Sequence, residues 1–114
     1  MELPLQVTVR NTVVPPAAID AIRAHARKLE TINDRIVACR VVVDVPQRHR
    51  SGASIGYNVR LDLTVPGGQL VVTRKRRLDL LTAIQDAFDA AERRLRDYAS
   101  RQRGEVKQRA PGGV

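Results

Sequence analysis

The sequence predicts an α+β domain with the element order β-α-β-β-β-α. This is a two-layer sandwich in which two helices pack on one face of a four-stranded, largely antiparallel sheet. Three observations support this prediction. Several segments alternate apolar and polar residues with a period of two, as half-buried strands do. Two segments place apolar residues at steps of three and four, as amphipathic helices do. A Pro-Gly-Gly turn joins two of the strand patterns directly, which favours an antiparallel hairpin.

The length and the charge of the chain limit what it can be. Its 114 residues suffice for one domain with its own core, predicted over residues 1–103 and followed by a flexible polar tail at 104–114. Lys and Arg number 20 against 12 Asp and Glu, a net charge of +8. The basic excess is concentrated in residues 74–114, which hold 11 basic and 6 acidic side chains. This balance suits a polyanionic partner, most often nucleic acid, although a merely soluble basic protein would share it.

The single cysteine and the apolar segments indicate a cytoplasmic protein. Cys39 has no second cysteine to pair with, which fits a reducing compartment. The N-terminal residues lack the apolar region of a signal peptide. No apolar run approaches the roughly 20 residues that a membrane helix requires. We therefore expect no membrane association.

The first third of the chain predicts a strand and then a helix. Leu5, Val7 and Val9 alternate with polar residues, as in a half-buried strand. Pro15-Pro16 can open the helix that follows, predicted over Ala17–Glu30, because proline is tolerated in a first turn. Its apolar stripe consists of Ala18, Ile22, Ala26 and Leu29. Its basic residues are Arg23, Arg27 and Lys28.

The middle of the chain predicts three strands. The segment 35–46 is rich in β-branched residues, and Cys39 shares a face with four valines, so a buried thiol is expected there. A basic loop at 47–54 leads to the long alternation Tyr57–Val65. The Pro-Gly-Gly turn then predicts a hairpin into Gln69–Arg74. The basic run Arg74, Lys75, Arg76 and Arg77 is expected to connect this strand to the last helix.

The last helix, predicted over Asp79–Arg103, organises the rest of the chain. Asp79 supplies a carboxylate at the positive end of the helix. The predicted apolar stripe consists of Leu81, Ile84, Phe88, Ala91, Leu95 and Tyr98. Arg93, Arg96 and Arg103 fall on a face turned away from that stripe, and Arg94 and Arg101 share one flank.

These basic residues admit two interpretations. The helix arginines are either a solvated face, held by acidic residues four positions earlier, or a surface for RNA phosphates. Arg94 and Arg103 have no such acidic residue, which favours RNA. The run from Arg74 to Arg77 either protects a sheet edge or contacts phosphate. With one Phe, two Tyr and no Trp, base stacking cannot be the main mode of recognition.

The sequence contains no pattern that predicts an enzyme, a cofactor or a metal site. It has no Cys/His zinc spacing and no phosphate-binding glycine motif. Asp44 and Asp62 could approach each other across the sheet, but strand solubility explains them. His25 and His49 are expected to be polar surface residues. Arg40 and Arg60 are candidates for the sheet face that the helices leave open.

Several short motifs in the right order resemble the ribosome hibernation promoting factor family. Lys28-Leu29-Glu30 is similar to the KLE of that family, and Asp34-Arg35-Ile36 to its DRI. In the last helix, the matching residues are Asp79, Ala83, Ile84, Phe88, Glu92, Arg93 and Leu95. The resemblance covers residues 5–103. Departures from the family pattern are Leu81 in place of a tyrosine, and Ala90 and Asp97 in place of lysines.

The resemblance implies a non-catalytic translation inhibitor that occupies the mRNA–tRNA decoding channel of the small ribosomal subunit. It implies ribosomal RNA as the partner, with no small-molecule substrate. The predicted RNA-binding residues are Arg23, Arg27, Lys28, Arg74, Lys75, Arg76, Arg77, Arg93, Arg94, Arg96, Arg101 and Arg103. Long members of the family carry a second domain that pairs ribosomes, and we expect a short form without it. A monomer is expected.

Two other functions are open on sequence grounds. A generic double-stranded RNA-binding module has the α-β-β-β-α order of the later elements, although this likeness concerns the fold alone. A structural or dimerisation module would instead use the open sheet face to pair with a second copy.

Overall fold

The computed structural model describes residues 4–46 and 56–109, with side chains as far as Arg101. The predicted basic loop at 47–54, including His49, and residues 110–114 lie outside the described residues. The elements follow the predicted order: β1 (Leu5–Arg10), α1 (Pro16–Ile32), β2 (Ala38–Asp44), β3 (Tyr57–Val65), β4 (Gly68–Arg77) and α2 (Leu80–Arg109).

The four strands form one sheet in the order β1-β2-β3-β4. β1 and β2 are parallel, and α1 provides the crossover that parallel neighbours require. The two remaining pairs are antiparallel. The predicted largely antiparallel sheet is confirmed.

A single apolar core lies between the sheet and the helices. The predicted stripe of α1 is buried throughout. Alternate residues of β2, β3 and β4 meet it, with Val41, Val59 and Leu61 fully buried. α2 packs against β3, β4 and α1. The two-layer α+β sandwich is therefore confirmed, and among the described residues no polar or charged residue is buried.

The start of α2 differs by one residue from the prediction. Leu80 is 7% exposed and Leu81 is 50% exposed, so the apolar stripe begins at Leu80 and the assignment of Leu81 was wrong. Asp79 caps the helix, since its carboxylate accepts a hydrogen bond from the backbone N–H of Thr82 at 2.9 Å. The helix ends at Arg109 rather than Arg103. The division into a domain at 1–103 and a flexible tail at 104–114 stays a prediction.

The predicted hairpin is present, but β4 is longer than expected. Pro66 and Gly67 form a two-residue turn between Val65 and Gly68, and the φ of +86° at Gly67 suits the second central position of a type II turn. β4 runs to Arg77, so the basic run belongs to the strand. The prediction that this run connects the strand to the last helix is therefore wrong. The pairing of β4 with β3 therefore fixes the directions of these four side chains.

Candidate nucleic-acid interface

The predicted RNA-binding residues form three groups on the surface. The β4 run comprises Arg74, Lys75, Arg76 and Arg77. The α2 arginines comprise Arg93, Arg94, Arg96 and Arg101. The α1 cations comprise Arg23, Arg27 and Lys28. All are exposed except Arg74, which is half-buried. Arg103 lies in α2, and its side chain is outside the described residues.

A β-bulge divides the β4 run between the two faces of the sheet. Arg77 pairs with Tyr57 and Arg74 with Val59, both on the strand face that meets the core. Lys75 and Arg76 therefore stand together opposite Asn58, on the open face. A regular strand would present only one residue at this position.

Two local contacts maintain the bulge. Arg76 adopts the left-handed conformation, with φ +59°, and its backbone N–H donates a hydrogen bond to Oδ1 of Asn58 at 3.0 Å. Gly56 lies against the other end of the run, where a Cβ atom would come within 2.6 Å of the carbonyl oxygen of Arg77. The strand can approach this closely because position 56 has no side chain.

An open groove between β4 and α2 brings cations from both elements together. The groove is lined by Val71, Val72, Thr73, Arg74, Ala90, Arg93, Arg94 and Asp97. Three guanidinium groups and one carboxylate thus share one concave surface. Guanidinium groups bind phosphate oxygens through paired N–H donors, so this groove is suited to an RNA backbone.

Arg94 also joins α2 to the edge strand. Its guanidinium donates a hydrogen bond to the backbone carbonyl of Val71. This carbonyl is on the outer side of β4, where the sheet offers no further partner. One of the predicted phosphate ligands therefore has a structural contact in the free protein.

Lys28 and Arg96 meet at one carboxylate. Glu92 of α2 lies 3.5 Å from Nζ of Lys28 and 3.2 Å from Nη2 of Arg96, which links the two helices. The hydrogen bond from Arg96, with a smaller contribution from the charge of Lys28, holds the pKa of Glu92 below its usual value. Two of the predicted RNA ligands thus share one carboxylate of the chain itself.

The other helix cations are freer. Arg93 and Arg101 are exposed, and the pairs Asp89–Arg93 and Asp97–Arg101 are outside ion-pair distance among the described side chains. Arg23 and Arg27 are exposed on α1, at positions that face away from its buried stripe. These four residues can meet a phosphate without first leaving a carboxylate.

The open sheet face carries less free charge. Arg40 and Arg60 are exposed there, as predicted, but Nε of Arg60 lies 3.1 Å from Oδ1 of Asp62. Asp62 pairs across the strands with Arg40, whereas Asp44 pairs with Asn58. The suggested approach of Asp44 to Asp62 is therefore wrong.

Cys39 and His25, whose side-chain types can serve as a nucleophile or a catalytic base, are part of the packing of the fold. Cys39 is 1% exposed, and burial raises its pKa to about 12, with a smaller contribution from the charge of Asp62. His25 is half-buried and stacks on Phe88 with ring centroids 5.2 Å apart, so it belongs to the helix packing rather than to the free surface. Within the described part of the chain, no group of three His, Cys, Asp or Glu residues could hold a metal ion.

Sequence reasoning missed Asn58, Gly56 and the double role of Glu92. The spacing of Glu92 and Arg96 was visible, but the contact with Lys28 joins residues distant in sequence. The bulge had one local signal, the unusual length of the basic run at the end of β4. That signal does not specify which residue takes the left-handed conformation.

The fold and this surface define a class: a two-layer α+β domain with cations gathered at one sheet edge and on two helices. Residues 5–103 match the family described as sigma 54 modulation protein / S30EA ribosomal protein. The chain belongs to this family, which confirms the resemblance to the ribosome hibernation factors. Its members are ribosome-associated proteins. A search among curated proteins finds no match.

Two solved structures share the fold. A ribosomal subunit interface protein from Coxiella burnetii superposes with a TM-score of 0.73 at 13% identity, covering 86% of this chain and 99% of that one. The N-terminal domain of Protein Y from Thermus thermophilus superposes with a TM-score of 0.66 at 20% identity, with the same coverages of 86% and 99%. None of the described helices is long and apolar enough to cross a membrane.

Proposed function

We propose that this protein is a hibernation factor that binds the small ribosomal subunit and blocks translation by occupying the mRNA–tRNA decoding channel. The family match over residues 5–103 carries this proposal, because it spans α1, the β4 run and α2 as far as Arg103. Inhibition would be steric and would require no covalent step. The small subunit is in the cytoplasm, where we expect the protein to be monomeric.

The surface supports recognition of the phosphate backbone rather than of the bases. The three aromatic residues are buried or half-buried: Phe88 in the core, and Tyr57 and Tyr98 packed against it. None of these three rings is therefore fully exposed for base stacking. The groove and the β4 run instead offer guanidinium groups, which suit structured RNA recognised by shape and charge.

The groove between β4 and α2 is the part of this surface best suited to bind phosphate. Arg74 and Arg93 enter it from different elements, and neither is within ion-pair distance of a carboxylate among the described residues. Their separation is fixed by the packing of α2 on β4. A phosphate group in the groove would relieve the repulsion between these like charges.

Co-sedimentation with purified small subunits at increasing salt tests the proposal. For about five phosphate contacts, the logarithm of the binding constant should fall against the logarithm of salt with a slope of about −3.5 to −4.5. The double variant Arg74→Gln/Arg93→Gln should lower affinity about 30-fold at 0.15 M salt and reduce the steepness of the slope by about 2. Pelleting that does not depend on salt would contradict the proposal.

A matched control removes the same charge from another surface. Arg10→Gln/Arg40→Gln changes two exposed arginines of β1 and β2, outside the groove. We expect a smaller loss of affinity from this variant. An equal loss from both variants would mean that net charge alone governs binding.

Competition with free duplex RNA separates the proposal from a generic double-stranded RNA-binding module. A ribosome-specific factor should stay on small subunits when a molar excess of short duplex is added. Complete displacement by equimolar duplex would favour the generic module.

A further inference from the structure

The β-bulge in β4 holds a residue other than glycine in a strained backbone conformation. Arg76 has a φ of +59°, a conformation in which glycine or asparagine is the ordinary residue. In many bulges with a left-handed residue, that residue is glycine. Strain of this kind gathers at binding sites, where the side chain is needed in spite of the backbone conformation.

The bulge concentrates charge at the sheet edge. It places Lys75 and Arg76 opposite the single residue Asn58, where a regular strand would place one side chain. Both are exposed and lie outside ion-pair distance of any carboxylate among the described side chains. Two like charges at adjacent positions repel each other in the free protein, and a polyanion relieves this repulsion.

The same bulge directs Arg74 and Arg77, the two ends of the β4 run, to the sheet face that meets the helices. Arg74 and Arg77 pair with Val59 and Tyr57, two positions apart on one face of β3. Their Cα atoms are therefore about 7 Å apart along the strand direction. The run thus presents cations on both sides of the β4 edge: one pair toward the helix layer, the other toward the open face.

We infer that the bulge is a phosphate-binding element, across which an RNA backbone passes from the groove to the open face of the sheet. Asn58 is a positioning residue, since its side-chain oxygen holds the backbone N–H of Arg76 in the left-handed conformation. This inference rests on the proposed RNA binding. It adds to the proposed function a path for the RNA backbone across the sheet edge. It also explains why an arginine is found at position 76 in a strained conformation.

Three variants at position 76 test the inference, with binding to a short RNA duplex and to purified small subunits each measured in a salt titration. Arg76→Gly removes the charge and relieves the strain. We expect its thermal midpoint to rise, its affinity to fall about fivefold at 0.15 M salt, and its salt slope to lessen by about 0.9. Arg76→Asn should lose affinity similarly, because asparagine also tolerates this conformation. Arg76→Lys should bind like the wild type.

Two further variants separate charge from position. Arg10→Asn removes an equal charge at the far edge of the sheet and should change the affinity less than twofold. Asn58→Ala leaves the net charge at +8 and removes the oxygen that holds Arg76, so we expect about a threefold loss of affinity. Unchanged affinity in Arg76→Gly would overturn the inference. Unchanged affinity in a folded Asn58→Ala would overturn the positioning role.

The probe distinguishes this inference from the proposed function. If the wild type binds duplex RNA in a manner that depends on Arg76 but does not pellet with small subunits, the proposed function fails and the inference stands. If it pellets with small subunits while Arg76→Gly and Arg76→Asn bind both ligands normally, the inference alone fails.

Discussion

Lys28 and Glu92 form an ion pair, 3.5 Å from Nζ to the carboxylate oxygen, that connects the two helices. The same carboxylate binds Arg96 at 3.2 Å. One carboxylate thus contacts two of the cations that are predicted from the sequence to bind RNA. The family resemblance includes both Lys28 and Glu92, so part of this motif serves the packing of one helix against the other.

Replacing Glu92 tests whether it competes with RNA. Glu92→Gln frees Lys28 and Arg96, so affinity for small subunits should rise about fivefold at 0.15 M salt, with a salt slope steeper by about 1. Because Lys28 and Arg96 are largely exposed, the thermal midpoint should change little. Salt-dependent co-sedimentation measures the first effect.

Asp20→Asn provides the control for this variant. Asp20 is exposed near the start of α1 and makes no ion pair with any described side chain, and its replacement changes the charge by the same amount. A smaller effect than that of Glu92→Gln is expected. Equal gains would show that Glu92 acts only through the net charge of the protein.

The fold could be predicted because its signals are local. Period-two alternation located the strands, and the stripe of α1 was identified residue by residue, since each pattern reports the buried face of its own segment. The start of the α2 stripe was misplaced because adjacent leucines at 80 and 81 both fit a helix. The local pattern does not show which of the two meets the core.

The arrangement of the site could be predicted only in part. The sequence indicates which residues are basic, but not which of them the chain already uses. Arg94 bonds to the backbone of Val71, and Lys28 bonds to a glutamate distant in sequence. The bulge depends on Asn58 across the sheet. These contacts follow from tertiary packing and register, which a single segment does not encode.

The two leucines at the start of α2 allow a direct test of its register. Leu80→Ala should lower the free energy of unfolding by about 2–4 kcal/mol, because it leaves a cavity in the core. Leu81→Ala should change it by less than about 0.5 kcal/mol, since half of that side chain is exposed. Urea unfolding of both variants measures the difference. Larger destabilisation by Leu81→Ala would contradict the observed start of the stripe.

The helix cap at Asp79 predicts an acid dependence of stability. Hydrogen bonds from the side chain and then the backbone of Thr82 hold the pKa of Asp79 below its usual value. The stabilisation of the folded state by the ionised Asp79 carboxylate is therefore fully present above the pKa that Asp79 has in the unfolded chain. It is lost as pH falls through the lower pKa that Asp79 has in the folded protein. Asp79→Asn keeps a capping oxygen but does not titrate.

Thermal unfolding at pH 7 and pH 3 measures this effect. The wild type should lose a few degrees more than Asp79→Asn between the two pH values. Identical losses would show that protonation of Asp79 does not contribute to the acid sensitivity of the fold.

The buried thiol of Cys39 predicts protection from modification and a loss of stability in alkali. Burial raises its pKa from 9.0 to about 12, so the thiol should not react with an aromatic disulfide reagent at pH 8 until the protein unfolds. Between pH 9.0 and about 12, the thiol of Cys39 is deprotonated in the unfolded chain but not in the folded protein, so the free energy of unfolding falls as pH rises. Cys39→Ala should lessen that fall between pH 8 and pH 10. Rapid labelling of the native protein would contradict the buried position.

Gly56 is the residue at which a single methyl group should have the largest effect on the sheet edge. Its φ is +79°, and an added Cβ would lie 2.6 Å from the carbonyl oxygen of Arg77, a backbone atom that cannot move aside freely. Gly56→Ala should therefore lower the free energy of unfolding by at least about 1–3 kcal/mol.

Gly68→Ala is the matched control, because no atom lies within 4 Å of its added Cβ. We expect this control to be neutral or slightly stabilising. Urea unfolding distinguishes the two, and equal stability would mean that β4 does not approach Gly56 as closely as the structure shows.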